Sequence, residues 1–257
     1  MRGYNQLNRW SLPSAARVIT VCGPFADNLS RAGVRRDRIV VRHNSVAAPA
    51  PVSPEAKNQL RARLGITDGE RVILTVGRLS HEKGHVDLVR ALTVLRVINP
   101  SVNFKLVIVG EGPEQTRVQT AAREAGLAEN IIFAGHTTDV QPYYSIADVL
   151  AMPSHSEGSP NVLLEAMAAT LPAVATAVGG VPEISGHGQH ALLVEPHNAR
   201  SFAEALNRVL TDSDLARKLG NAAAVHVSQH FSPSAYAQSL LSVYQSLASE
   251  TGSFKVT

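Results

Sequence analysis

From about residue 71 the chain alternates short, almost uninterrupted apolar runs with stretches whose apolar positions recur every three or four residues. The runs are RVILTV (71–76), KLVIVG (105–110), NIIFAG (130–135), VLAMP (149–153), AVAT (173–176) and ALLV (191–194). Helical patterns separate them at 85–98, 114–126, 140–147, 159–169 and 181–185. Runs this apolar, without strict alternation, are strands buried on both faces, and strands alternating with helices form βαβ units. The expectation is an α/β fold: a doubly wound, Rossmann-like parallel sheet whose ligands bind beyond the carboxyl ends of the strands. After Val194 the pattern is helical, at 200–210, from 214 to about 230 and at 234–249, and the tail TGSFKVT is expected to fray.

The first fifty residues read differently. They offer a strand (17–21), a helix (about 24–33, ending at Gly33) and a strand (39–42), too little to enclose a core. The segment AAPAPVSP (47–54) follows them. Residues 1–46 are therefore expected to be the end of another domain, 47–70 a linker and leading helix, 71–232 the ligand-binding domain, and 233–257 a C-terminal helix and tail. A half-domain of this size should leave apolar surface uncovered and favour self-association.

Composition narrows the classes. The 257 residues are 44% hydrophobic and 18% charged, which gives a folded chain with ample core. A net charge of +3 is a mild excess, compatible with a small anionic ligand and too weak to indicate nucleic acid. The single cysteine, Cys22, excludes an intrachain disulfide and fits a reducing compartment; its place after a strand predicts a buried, inert thiol. No apolar run approaches the ~20 residues of a membrane span, and MRGYNQLNRW lacks the apolar core of a signal peptide. A cytoplasmic protein, at most peripheral at the inner face of a membrane, is expected.

Candidate chemistry sits in the loops after the strands. Gly77 and Arg78 open GRLSHEKG and Lys83 closes it, placing two cations at the ligand edge. The spacing is not that of a P-loop, which needs Lys one place later followed by Ser or Thr. Gly110-Glu111-Gly112 allows close backbone approach but lacks the third glycine of a dinucleotide fingerprint. In SEGSPNVLLEAMA (156–168), Ser159 and Pro160 read as N-cap and first residue of a helix. That leaves Glu157 on the loop outside and Glu165 on the helix, with backbone N–H groups between them. The segment alone favours a capped core helix with two solvated acids; the convergence of three loops at one edge favours a ligand.

Other patterns are discounted. Asp212 reads as the N-cap of the next helix and not as part of a metal-binding DxD. His226 and His230 read as surface histidines, and Asp87 with Arg90 as a solvated helix face. Ser154-His155-Ser156 is no nucleophile elbow. Gly179-Gly180-Val181-Pro182-Glu183 reads either as backbone N–H groups brought to the ligand edge or as a plain helix start.

GRLSHEKG, VGEGPE, the Glu-x7-Glu run SEGSPNVLLEAMA and AVGGVPEI, in this order, resemble the donor-binding half of retaining glycosyltransferases of family 4, the glycosyl transferases group 1, which have the GT-B fold. The resemblance runs from about 71 to 231, and residues 14–46 resemble the end of the family's N-terminal domain. It implies one GT-B half, a remnant of the other, and C-terminal helices. It also implies that Arg78 and Lys83 hold the donor diphosphate and that Glu157 accepts hydrogen bonds from the donor sugar. Glu165 would hold the ribose, and N–H groups of Asn161, Val162 and Leu163 would face the phosphates. Gly77, Gly110, Gly158 and Ser159 would line the site, with Gly135 and His136 bordering the base. A UDP- or GDP-linked sugar is the implied donor and a glycan or lipid-linked molecule the acceptor. No metal or other cofactor is implied. The acceptor site belongs to the family's first domain, so this chain is expected to bind the donor yet transfer little alone; the alternative is a non-catalytic nucleotide-sugar-binding module or subunit of a split enzyme. His43-Asn44-Ser45 stands where the family often has an Asn-Gly turn.

Overall fold

Val72, Ile73 and Leu74 are each at most 1% exposed, so consecutive side chains on opposite faces of one strand are both buried. Val72 and Leu74 join one apolar cluster and Ile73 joins another, which places a core on each side of the sheet. This is the double covering that the uninterrupted apolar runs predict.

The computed structural model describes residues 11–251. The segment read as lacking a signal-peptide core and the end of the tail lie outside the described residues. Among the described residues there are eight strands: β1 (Val18–Thr20), β2 (Ile39–Val41), β3 (Arg71–Val76), β4 (Phe104–Val109), β5 (Ile131–Gly135), β6 (Val149–Met152), β7 (Ala173–Thr176) and β8 (Leu192–Val194). Ten α-helices among the described residues connect or follow them: α1 (Gly23–Arg31), α2 (Pro54–Arg63), α3 (His85–Ile98), α4 (Gln115–Glu124), α5 (Gln141–Ile146), α6 (Asn161–Ala168), α7 (Val181–Ile184), α8 (Ala199–Thr211), α9 (Ser213–His230) and α10 (Pro233–Thr251).

The main sheet is parallel with order β5-β4-β3-β6-β7-β8. Strand order therefore reverses between β3 and β6, and open α/β sheets bind ligands at such a switch point. Those two strands pair only through Ile73 with Val149 and Leu74 with Leu150. Beyond Leu74 and Leu150 the two strands run on unpaired with each other to Val76 and Met152, and the loops that follow them face each other across this switch-point crevice.

β1, α1 and β2 form a separate parallel βαβ unit. It rests on the carboxyl edge of the large sheet, where Gly23 N–H donates to both oxygens of Glu183 at 2.9 and 3.1 Å. A carboxylate there satisfies a donor that a helix start leaves open. Ile19 and Phe25 of this unit are 43% and 39% exposed, less than Val97, Val225, Leu241 and Tyr244 elsewhere in the chain. Cys22 is fully buried, and burial raises its thiol pKa, which keeps it protonated and inert. At the other end of the chain, Asp212 caps α9 through the N–H groups of Asp214 and Leu215, as read. Among the described residues, no helix is long and apolar enough to cross a membrane.

Candidate functional site

The crevice between β3 and β6 brings together two loops 74 residues apart. Lys83 Nζ lies 2.7 Å from Oε1 of Glu157, and the same oxygen accepts from Ser154 Oγ at 2.7 Å. Glu157 is therefore not solvated, as its segment alone suggested: its side chain is 8% exposed, against 28% for Lys83. A charge this buried needs a partner of opposite sign, and the loop after β3 supplies it. Thr176 at the end of β7 braces the turn by donating to the carbonyl of Ser154.

Backbone contacts lock the two loops together. His155 N–H donates to the carbonyl of Glu82 at 2.8 Å. Gly84 has φ 67°, and a Cβ there would lie 2.0 Å from the carbonyl oxygen of Pro153, so only glycine fits. Gly179 and Gly180 follow a third possibility that the sequence reading did not include. Gly180 N–H donates to the Gly158 carbonyl at 3.0 Å, and the pair receives the backbone of the Glu157 turn. Gly180 N–H is thereby closed to a ligand, whereas Gly179 N–H finds no acceptor among the described residues, so the pair does more than begin a helix.

Arg78, after β3, is exposed and forms no ion pair among the described residues. Gly77 and Gly110 tie their strand ends to the neighbours: Gly77 N–H donates to Val109 at 2.9 Å and Gly110 N–H to Gly135 at 2.8 Å. His136 is exposed beside Glu111, which accepts its backbone N–H at 3.4 Å.

Helix α6 corrects two expectations. It begins at Asn161, with Pro160 rather than Ser159 in the capping position. Ser159 Oγ is occupied elsewhere, accepting from Asn44 N–H at 2.8 Å, and Asn44 Nδ2 donates to the Ser159 carbonyl and to Asn161 Oδ1, both at 2.8 Å. A donor from the N-terminal unit thus outcompetes the local cap. Leu163 N–H is also engaged, by the Pro160 carbonyl at 3.2 Å. Only the N–H groups of Asn161 and Val162 find no acceptor among the described residues, as the first turn of a helix requires.

Glu165, on the second turn, is half-buried and accepts from Tyr144 Oη at 2.8 Å. Burial, then the adjacent carboxylate, pushes the Tyr144 phenol far above its ordinary value, so it remains a donor. One Glu165 oxygen is thereby fixed and the other is left for a ligand. Tyr144, Ser154 and Asn44 were not found from sequence. Each acts across 21, 3 and 115 residues respectively, and only Ser154 lies close enough to its partner for a local signal.

Two further readings change as well. Asp87 is not part of a solvated face, because it accepts from His155 and His197 besides Arg90. His230 is exposed as expected, whereas His226 is half-buried, stacked on His190 at 4.2 Å and 3.1 Å from the Ile184 carbonyl. Burial, then the neighbouring His190 and His230, lowers the His226 pKa below its usual 6.5. The unfolded chain then binds the proton more readily, so this group's contribution to stability is present above pH ~6.5 and is lost as pH falls. Urea denaturation from pH 7.5 to 5 should show that fall, and His226→Gln should flatten it; an unchanged slope in the variant would refute the assignment.

Comparison with known proteins identifies the family and the fold. Residues 56–226 match the family described as glycosyl transferases group 1. The chain is 31% identical over 237 residues to an uncharacterised glycosyltransferase of Methanocaldococcus jannaschii, covering 90% of this chain and 60% of that protein. It is 34% identical over 217 residues to a D-inositol 3-phosphate glycosyltransferase of Corynebacterium jeikeium, covering 82% and 52%. Among solved structures it is similar to Anabaena HepE in complex with UDP, at a TM-score of 0.82 and 26% identity over 90% of this chain and 64% of that one. The chain thus spans 52–60% of the length of these two curated relatives.

Proposed function

The chain belongs to the glycosyl transferases group 1 family, and from that premise we propose that its β3–β6 crevice binds the nucleotide-diphosphate sugar donor of a retaining glycosyltransferase. One observation carries the reading: the Lys83–Glu157–Ser154 contact at the switch point, with Arg78 unpaired on one side and Glu165 held by Tyr144 on the other. Between the two acids lie the unsatisfied N–H groups of Asn161 and Val162.

Each group has a task in this reading. Arg78, Lys83 and the helix start neutralise the diphosphate, which gains charge as the sugar–phosphate bond breaks. A well-placed electrostatic group of this kind is worth about 2.7–4 kcal/mol. Glu157 and Glu165 accept hydrogen bonds from sugar and ribose hydroxyls, which carboxylates do without offering a competing donor. Gly135 and His136 border the base. The acceptor's hydroxyl oxygen attacks the anomeric carbon on the face from which the diphosphate departs, and its proton passes to a diphosphate oxygen, so configuration is retained. In this reading residues 1–46 belong with the acceptor-binding domain, and 71–232 form the donor domain. A glycan or lipid-linked acceptor and a cytoplasmic location complete the proposal. The UDP bound by Anabaena HepE supports a uridine or similar nucleotide as the donor's carrier.

Glu165→Ala tests the ribose assignment. It should weaken UDP binding at least tenfold, about 1.4 kcal/mol, and leave inorganic pyrophosphate binding unchanged. Equal losses for both ligands, or none for UDP, would remove Glu165 from that role.

A further inference from the structure

A second cluster of ligating side chains lies beside the crevice, and nothing in the proposed donor chemistry uses it. Asp87, in the first turn of α3, has Oδ2 2.8 Å from Nε2 of His155 and 3.1 Å from Nδ1 of His197. The other carboxylate oxygen is held by Arg90 at 2.7 Å. One ligand atom from each of the three residues lies within 4.8 Å of the other two, and the imidazole centroids are 4.1 Å apart. The residues come from three separate segments: α3, the β6–α6 loop two positions before Glu157, and the β8–α8 loop. His197 has φ 60°, a left-handed conformation that non-glycine residues seldom adopt.

We propose that Asp87, His155 and His197 form a binding site for a borderline divalent transition-metal ion of the Zn2+ class. Two imidazole nitrogens and one carboxylate oxygen suit such ions, whereas Mg2+ and Ca2+ take oxygen ligands. Tetrahedral coordination with arms of ~2.0–2.1 Å sets adjacent ligand atoms about 3.3 Å apart. To admit the ion, the separations of 2.8 and 3.1 Å from Asp87 Oδ2 open by a few tenths of an ångström, and the two imidazole nitrogens, within 4.8 Å of each other, take up the same spacing. A cavity of about 130 Å3, walled by Ser80, His81, His85 and Glu114 besides the cluster, gives access and room for a water as fourth ligand. The ion is a clamp and takes no part in transfer: it joins α3 to the loop that carries Glu157. The inference rests on this geometry alone and stands apart from the donor reading.

The test uses the full chain, stripped with a chelator and titrated with Co2+. One ion per chain should bind, with the visible bands of four-coordinate Co2+, and Zn2+ should displace it. His155→Ala and His197→Ala should each abolish the bands and weaken Zn2+ at least tenfold against a chromogenic chelator. His197 is 64% exposed, so its replacement removes a ligand without opening the core, and circular dichroism confirms that the variant is folded. His226→Ala, in the separate cluster with His190, should leave the bands intact. Absence of stoichiometric binding by the wild type overturns the proposal. So does Zn2+ affinity kept within twofold in both ligand variants, or loss of the bands in His226→Ala.

Discussion

Gly179→Ala is expected to destabilise the folded chain by about 3 kcal/mol or more and to displace Glu157 from Lys83. Two costs coincide at this position. Gly179 has φ 55°, where an L side chain costs roughly 1–2 kcal/mol. The added Cβ would also stand 1.7 Å from the carbonyl oxygen of Glu157 and 2.7 Å from its carbon. Those atoms are backbone and cannot rotate away, so one of the two turns must move, at a further cost of roughly 1–3 kcal/mol. Gly69→Ala separates the terms: φ is 84° but no atom lies within 4 Å of the new Cβ, so only the conformational cost applies. Urea denaturation of both variants measures the difference. Equal losses would show that the turns do not press on each other as described.

Lys83→Ala is the second large effect, and it acts on stability as well as on binding. Removing one member of a buried pair leaves the other charge uncompensated, at roughly 3–5 kcal/mol when both are fully buried. Lys83 keeps 28% of its side chain exposed, and Ser154 still donates to Glu157, so about 2–3 kcal/mol is expected. Adding Glu157→Gln to Lys83→Ala should recover much of that loss, since the stranded charge is gone. On the proposed reading nucleoside diphosphate binding should remain impaired in both, because the cation assigned to the phosphates is missing. If Lys83→Ala costs less than ~0.5 kcal/mol, the contact behaves as a surface ion pair, and the crevice is wetter than its burial indicates.

Much of the fold was legible because its signals are local. RVILTV and the helix at 85–98 were read to the residue, as runs of β-branched and apolar positions bounded by glycine at 77 and 84 leave little freedom. The candidate site was legible as a set of loops, through strand-to-helix spacing and the family motifs. Its pairings were not, because they depend on strand order: Lys83 meets Glu157 only because β3 and β6 are neighbours. The Ser159 cap was misread for a related reason. A serine before proline is a sound local cap, and a backbone N–H from Asn44 claimed it across 115 residues. Asp87 and His226 were assigned to solvent by their helical spacing, and tertiary partners overruled that. Nothing local in the sequence announces that His155 and His197 converge on one carboxylate.

The central claim is that the crevice between β3 and β6 is a preformed donor site. Calorimetric titration of the folded chain with UDP, GDP and their sugar conjugates, beside Arg78→Ala, tests it most directly. Arg78 is exposed and unpaired among the described residues, so its loss should leave the fold undisturbed and, on the proposed reading, remove a phosphate contact. Saturable one-to-one binding of one nucleotide type, weakened at least tenfold in Arg78→Ala, is the predicted result. A folded chain that binds none of these ligands, or binds them equally well without Arg78, would contradict the account.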